Sequence, residues 1–214
     1  MDGYGDGLNA TISTGEKGSL KRIYQTDKCI VGRIYSHITL LLGMKRLEHE
    51  YKLMGLAPYG EKYFNKDCYK VFDEILKLNK FKFVINKKPK DSYFHFKKKL
   101  EGFRFDIIAS SLQLWVENII TKWVLNTVKH TGIKFICFSG GVGMNAKAMG
   151  KLLENEKIKN LWVPGAGQDD STCIGAAIEV QKKIKNRKNN FVDLKNLYFG
   201  NDANNDEKIF LKNK

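Results

Sequence analysis

The chain has 214 residues, 43% of them hydrophobic, and a formal net charge of +14. That length and apolar content suit one large domain or two small ones around a substantial core. Three prolines, no long low-complexity tract and no apolar run of about 18 residues exclude a disordered chain and a helical membrane span.

The start, MDGYGDGLNATIST, is polar and Gly-rich and lacks the apolar core of a signal peptide. Within it, GLNATIST alternates weakly, as a strand after a tight turn does. Asp6 suits the turn itself. RIYSHITLLLGM is apolar and ends at Gly43. HEYKLMGLAPYG, dense in Gly and Pro, is expected to be a shaped loop packed on the core. Residues 61–104 are expected to be a Lys-rich helix-and-loop insertion, the most surface-like part of the chain.

DIIASSLQLWVENIITKWVLNTVKHTG is the clearest helix. Ile108, Leu112, Trp115, Ile119 and Trp123 recur at three and four residues, and Val116, Ile120 and Val124 widen the stripe. Asp106 is expected as its N-cap and Gly132 just past its end. So wide an apolar face makes this a core helix, with both tryptophans packed inside. The remainder reads strand–helix–strand–helix: KFICFS, NAKAMGKLLENEK, NLWVP and STCIGAAIEVQKKIKN. This alternation predicts a parallel strand pair in an α/β sheet. Ligands of such sheets bind at the C-terminal strand ends. Both strands deliver glycine-rich turns there, SGGVGMN and PGAGQDD.

The first of these turns has several readings. Gly141-Val142-Gly143-Met144-Asn145-Ala146 matches the spelling of a dinucleotide fingerprint. The acid that such a site needs after the second strand is missing, because Val163-Pro164-Gly165 stands there. A phosphate loop of the Walker type needs Gly-Lys-Ser/Thr, which Asn145-Ala146-Lys147 does not supply. An actin-like kinase or heat-shock ATPase site uses a Gly-Gly turn to present backbone N–H groups, with separate aspartates for metal and phosphate. A plain tight turn is the remaining alternative. Convergence with a second glycine-rich turn carrying Asp169-Asp170 favours a site.

Charge and cysteines add little. Only five of the 37 basic residues are arginines, and the lysines concentrate in connecting segments, so a solvated surface is expected rather than a nucleic-acid interface. Cys29, Cys68, Cys137 and Cys173 are far apart and form no C-x-x-C pair. They are expected as reduced thiols of a cytoplasmic protein.

Five motifs in order, DGYGDG (2–7), EYKLMGLAPYG (50–60), DIIASSLQ (106–113), FSGGVGMN (138–145) and GQDDSTCIGAA (167–177), resemble the NodU/CmcH-type carbamoyltransferases. The main domain of that family resembles the universal threonylcarbamoyl-adenosine synthesis enzyme. The resemblance implies an α/β, actin-like ATPase (ribonuclease H-like) fold, here incomplete and missing its N-terminal strands. It implies a domain over 1–190 and, over 191–214, the start of a link to a C-terminal adenylate-forming domain. It implies transfer of a carbamoyl group from carbamoyl-adenylate, made from carbamoyl phosphate and ATP, to a hydroxyl of a small-molecule acceptor. A bound iron or similar divalent metal would hold the adenylate.

Carried over by motif, Asp2 and Asp169, with Asp170 as the alternative, would be metal ligands. Gly140, Gly141, Val142 and Asn145 would line the nucleotide, and Lys52 would face phosphate or brace its loop. The family's pair of metal-binding histidines four residues apart has no counterpart among His37, His49, His95 and His130. The chain also begins at the DG turn itself. The resemblance therefore implies a fragment, a misplaced start or a split gene whose remainder is encoded separately. An inactive nucleotide-binding module and threonylcarbamoyl transfer to tRNA are the alternative functions.

Overall fold

The computed structural model describes residues 1–185. The chain divides into two compact units, Met1–Thr172 and Cys173–Lys214. The expected link over 191–214 lies outside the described residues. The elements in order are β1 (Ala10–Glu16), β2 (Ser19–Thr26), α1 (Val31–Leu41), α2 (Glu50–Gly60), α3 (Lys66–Asp73), β3 (Leu76–Asn79) and β4 (Lys82–Ile85). They continue with α4 (Ser92–Lys99), α5 (Phe105–Thr131), β5 (Phe135–Cys137), α6 (Ala146–Leu153), β6 (Asn160–Trp162) and α7 (Thr172–Lys185). The class is mixed α/β. Its described strands form three two-stranded sheets, antiparallel β1–β2 and β3–β4 and parallel β5–β6. The parallel pair is the one that the strand–helix–strand alternation predicts, in the register Phe135↔Asn160 to Cys137↔Trp162.

The core is organised by α5. Its stripe is buried as the spacing predicts, from Ile108 to Val128, with Trp115 1% and Trp123 5% exposed. Gly132 ends the helix in the left-handed region at φ 74°, and its N–H donates to the Val128 carbonyl at 2.8 Å. Asp106 is not the N-cap; Arg104 occupies that position. Asp106 lies inside the first turn, where its carboxylate accepts from the Ile107 N–H at 2.9 Å and from the Arg104 guanidinium at 2.7 and 3.1 Å. An acid there meets the positive end of the helix dipole without capping it.

Two expectations are corrected. HEYKLMGLAPYG is not a loop. Residues 50–60 form α2, whose buried side, Leu53, Ala57 and Gly60, has helical spacing. Pro58 stands in the last turn, where its missing N–H costs one ladder bond and the helix is about to end anyway. The small residues serve close approach instead. A Cβ on Gly60 would overlap the Asp106 carbonyl and lie 2.7 Å from Ser110 Oγ, so α2 crosses α5 with almost no side chain between them.

Residues 61–104 are not merely surface. Cys68, Phe72, Ile75, Leu76, Phe83, Phe96 and Leu100 are all buried. Phe72 packs against Trp115 at 6.0 Å and Phe96 at 5.8 Å between ring centroids. Trp123 Nε1 donates to the Phe81 carbonyl at 3.0 Å. The lysines of this block occupy the solvent side of elements whose other side covers α5.

Gly60→Ala is expected to destabilise the fold by roughly 3 kcal/mol, because the clash is with backbone that cannot rotate away. Chemical denaturation of the variant against Gly55→Ala measures it; Gly55 has open space at its Cβ position.

Candidate functional site

The C-terminal ends of β5 and β6 carry the site. The Gly140 N–H donates to the Gly167 carbonyl at 2.7 Å, so the turns after the two strands meet as their sequence placement predicts. The N-terminal segment lies on the same edge. The Val142 N–H donates to the Met1 carbonyl at 3.3 Å, and the Asp2 N–H to the Asn9 carbonyl at 2.7 Å. Gly140 needs to be glycine. Its φ is 99°, and a Cβ would overlap the Met1 carbonyl oxygen. In the N-terminal segment, residues 5–8 close a tight turn with Asp6 at φ 49° and Gly7 at φ 77°, the turn role expected of Asp6.

A cleft of about 610 Å³ opens over these segments, within the range of small-molecule sites. Asp2, Gly141, Val142, Asn145 and Asp169 line it. Gly140 sits behind the lining, its N–H already engaged. Among the N–H groups of residues 140–143, only that of Gly141 has no backbone acceptor among the described residues. Asp170 is exposed outside the lining residues. Lys52 points elsewhere: its Nζ lies 3.1 Å from Nε2 of His49 and 5.8 Å from the centre of the Tyr51 ring. On α2 the positions turned to the cleft are Glu50, Tyr51 and Met54, while Lys52 projects to solvent.

The sequence reading missed a further part of the lining. It is built by α1 and the connector to α2, with Arg33, Tyr35, Ser36, Arg46, Leu47 and Glu48 among its residues. Arg33 stacks its guanidinium 4.8 Å from the centre of the Tyr4 ring, and its Nε donates to the Gly3 carbonyl at 3.3 Å. Arg46 Nε donates to Ser36 Oγ at 3.0 Å. No motif marks these side chains, and only the helical phase of RIYS could have pointed to them.

The metal that the resemblance implies was tested against this donor set. Asp2 and Asp169 reach one cleft from opposite ends of the sequence, and Asp2 Oδ1 also accepts from the Gly3 N–H at 2.7 Å. Among the described residues no group of three or more His, Cys, Asp or Glu is placed to hold a metal. Two carboxylates alone do not make a closed site. The described residues therefore do not fit a resident metal by themselves.

Burial, and the Arg46 charge after it, hold the His37 imidazole below its ordinary 6.5. The folded state thus binds its proton less readily than the unfolded chain. Its contribution to stability is complete above about 6.5 and is lost as pH falls from there toward the depressed folded value. Melting temperature is expected to fall between about pH 7.5 and pH 5.5, and His37→Gln to flatten that slope. Thermal melts across this range read both.

A cleft at the C-terminal ends of a parallel strand pair is the place where α/β domains commonly take small-molecule ligands. Comparison with known proteins is more specific. The family described as "Carbamoyltransferase N-terminus" matches residues 1–178. The chain belongs to this carbamoyltransferase family. It is 33% identical over 227 residues to an uncharacterized protein of Methanocaldococcus jannaschii, covering all of this chain and 42% of that one. It is 32% identical over 200 residues to an uncharacterized protein of Synechocystis, covering 84% of this chain and 32% of the relative. Nodulation protein NolO of Bradyrhizobium diazoefficiens is 26% identical over 212 residues, 97% of this chain and 38% of its own length. The chain thus spans about a third to two fifths of these relatives.

Gly140→Ala is expected to cost about 3 kcal/mol or more, since it combines a left-handed backbone with a backbone clash. Denaturant melts check the loss. Hydrogen exchange at the Val142 amide would show whether the N-terminal segment separates from the glycine turn.

Proposed function

We propose that the cleft is the carbamoyl-adenylate site of a carbamoyltransferase domain, from which a carbamoyl group passes to a hydroxyl of a small-molecule acceptor. The observation that carries this reading is the meeting of Asp2, Gly141, Val142, Asn145 and Asp169 on one cleft from three segments distant in sequence, within a chain of this family.

The acceptor oxygen forms a bond to the carbamoyl carbon, and the bond from that carbon to the adenylate phosphate oxygen breaks. AMP leaves with the electron pair, and the hydroxyl proton passes to a base. The phosphate gains negative charge in this step. The Gly141 N–H is a preorganised donor for such charge. Arg33 and Arg46 supply positive charge to the cleft lining. The two carboxylates repel each other and the phosphate unless a cation joins them. A divalent cation there would use Asp2 and Asp169 and would need its remaining ligands from phosphate or from outside the described residues. No step is routed through it.

That the described residues offer only Asp2 and Asp169 to a metal leaves room for one second reading, a nucleotide-binding module without transfer activity.

Calorimetric titration of the 214-residue chain with ATP is the test, joined by elemental analysis for bound metal. With a divalent cation present in the titration, stoichiometric binding, weakened about tenfold or more by Asp169→Ala, is expected. No adenine-nucleotide affinity in the unmutated chain would sink the site assignment. Binding without carbamoyl transfer to any hydroxylated acceptor would select the inactive module.

A further inference from the structure

One side chain in the middle of α5 is polar, large and almost fully buried. Gln113 is 2% exposed. It does not line the cleft, and the proposed reaction gives it no part. Every hydrogen-bonding position of its amide is nevertheless filled. Oε1 accepts from the Tyr35 hydroxyl at 3.0 Å and from Asn145 Nδ2 at 2.9 Å. Nε2 donates to Asn145 Oδ1 at 2.9 Å and to Glu117 Oε1 at 2.9 Å. Gln113 and Asn145 thus form a closed pair of amides joining the core helix to the glycine turn.

The orientation of this pair is dictated from both ends. A carboxylate only accepts, so Glu117 fixes which end of Gln113 is nitrogen. Lys151 Nζ, 3.5 Å from Glu117 Oε2 and 3.1 Å from Asn118 Oδ1, keeps that carboxylate paired. At the other end the Ala148 N–H donates to Asn145 Oδ1 at 3.0 Å, capping α6. Asn145 therefore has its oxygen committed twice and one Nδ2 hydrogen committed to Gln113. A second Nδ2 hydrogen remains on a side chain that lines the cleft. Burial keeps the Tyr35 phenol protonated, since its pKa is raised well above the ordinary 10.

We infer that Gln113 is a positioning residue: with Glu117 behind it, it locks Asn145 so that the side-chain amide presents an N–H donor to an acceptor oxygen or nitrogen of the bound nucleotide. This inference rests on the reading of the cleft as a nucleotide site. A buried amide that satisfied only itself could be replaced by an apolar side chain at little cost. This one is tied by four hydrogen bonds to three residues, Tyr35 of α1, Glu117 of α5 and Asn145 of the glycine turn, and Tyr35 and Asn145 line the cleft.

The test is a double-mutant cycle on the 214-residue chain, read by calorimetric titration with ATP and by thermal melting. Glu117→Gln removes the acceptor-only partner without touching the cleft or the core volume. Gln113→Leu removes the pair itself. Asn145→Ser retains a helix cap and removes the amide donor. Glu117→Gln is expected to weaken ATP binding about fivefold with a small change in melting temperature. The loss should disappear in the Asn145→Ser background, because the effect passes through Asn145. Side-chain amide NMR signals of Gln113 and Asn145 should lie outside the exposed-amide region in the unmutated chain and move toward it in Glu117→Gln.

Gln113→Leu is expected to show a larger loss; should it fail to fold, Glu117→Gln decides alone. If the unmutated chain binds ATP and Glu117→Gln binds it equally, the positioning role is wrong and the site reading survives. Equal loss in both Asn145 backgrounds also overturns it, because the effect would then be generally structural. If the unmutated chain does not bind ATP at all, both fall together.

Discussion

Almost everything in this domain follows from the need to cover α5. The helix has 27 residues, about 40 Å of rod at 1.5 Å per residue, and its apolar stripe is too wide for one partner. Ten of its apolar side chains, from Ile108 to Val128, are buried. Coverage comes from α2 on one side, from α3 and the β3–β4 hairpin on another, and from α6 on a third, while α4 packs on α1. The covering elements come from before and after α5 in the sequence. A contact made on this helix is therefore a contact between distant segments, and the cleft sits where three such segments end.

The crossing of α2 over α5 sets how α2 meets the cleft. Gly60 and Ala57 bring the two backbones close, which turns Glu50, Tyr51 and Met54 toward the cleft and Lys52 away from it. On α5, Gln113 bonds to Asn145 of the glycine turn and Glu117 to Gln113 and Lys151, while Trp115 packs against Phe72. One helix thus carries both the hydrophobic core and the polar link to the site. Gln113 is that link; Ser110, buried as well, instead donates to the Ile107 carbonyl at 3.1 Å beside Gly60.

What the sequence disclosed follows the range of the interactions. Periodicity and end signals are local, so α5, its Gly132 terminus and the β5–α6–β6 unit were legible. The meeting of SGGVGMN and PGAGQDD was also legible, because parallel strands place their C-terminal ends together. Misreadings arose where a local signal had a tertiary cause. Gly and Pro in EYKLMGLAPYG suggested a loop, yet Gly60 is there for a helix crossing. Lysine density in 61–104 suggested surface and hid Phe72, Phe83 and Phe96. Asp106 looked like a cap and is a first-turn acid paired with Arg104. Arg33 and Arg46 carry no motif, and their place in the site exists only once α1 and its connector are folded over the cleft. The actin-like topology implied by resemblance goes beyond three two-stranded sheets in a mixed α/β arrangement.

The charge of the molecule and the charge of its cleft are different quantities. The excess of +14 comes mostly from lysines, and none of them lines the cleft. The lining holds four carboxylates, Asp2, Glu48, Glu50 and Asp169, against Arg33 and Arg46. Glu50 is partly engaged, accepting from the Leu47 N–H at 2.8 Å. A phosphate entering this cleft meets net negative charge, so the surface lysines, separated by a screening solution, do little to hold it there. Backbone donors are scarce as well, because Gly140, Val142 and Gly143 use their N–H groups to tie the loops together. On the reading proposed above, anion affinity comes from few directed groups: the Gly141 N–H, the two arginines and the Asn145 amide. A site of this kind depends on orientation more than on total charge, which gives a buried, fully satisfied Gln113 behind Asn145 a physical reason to be there.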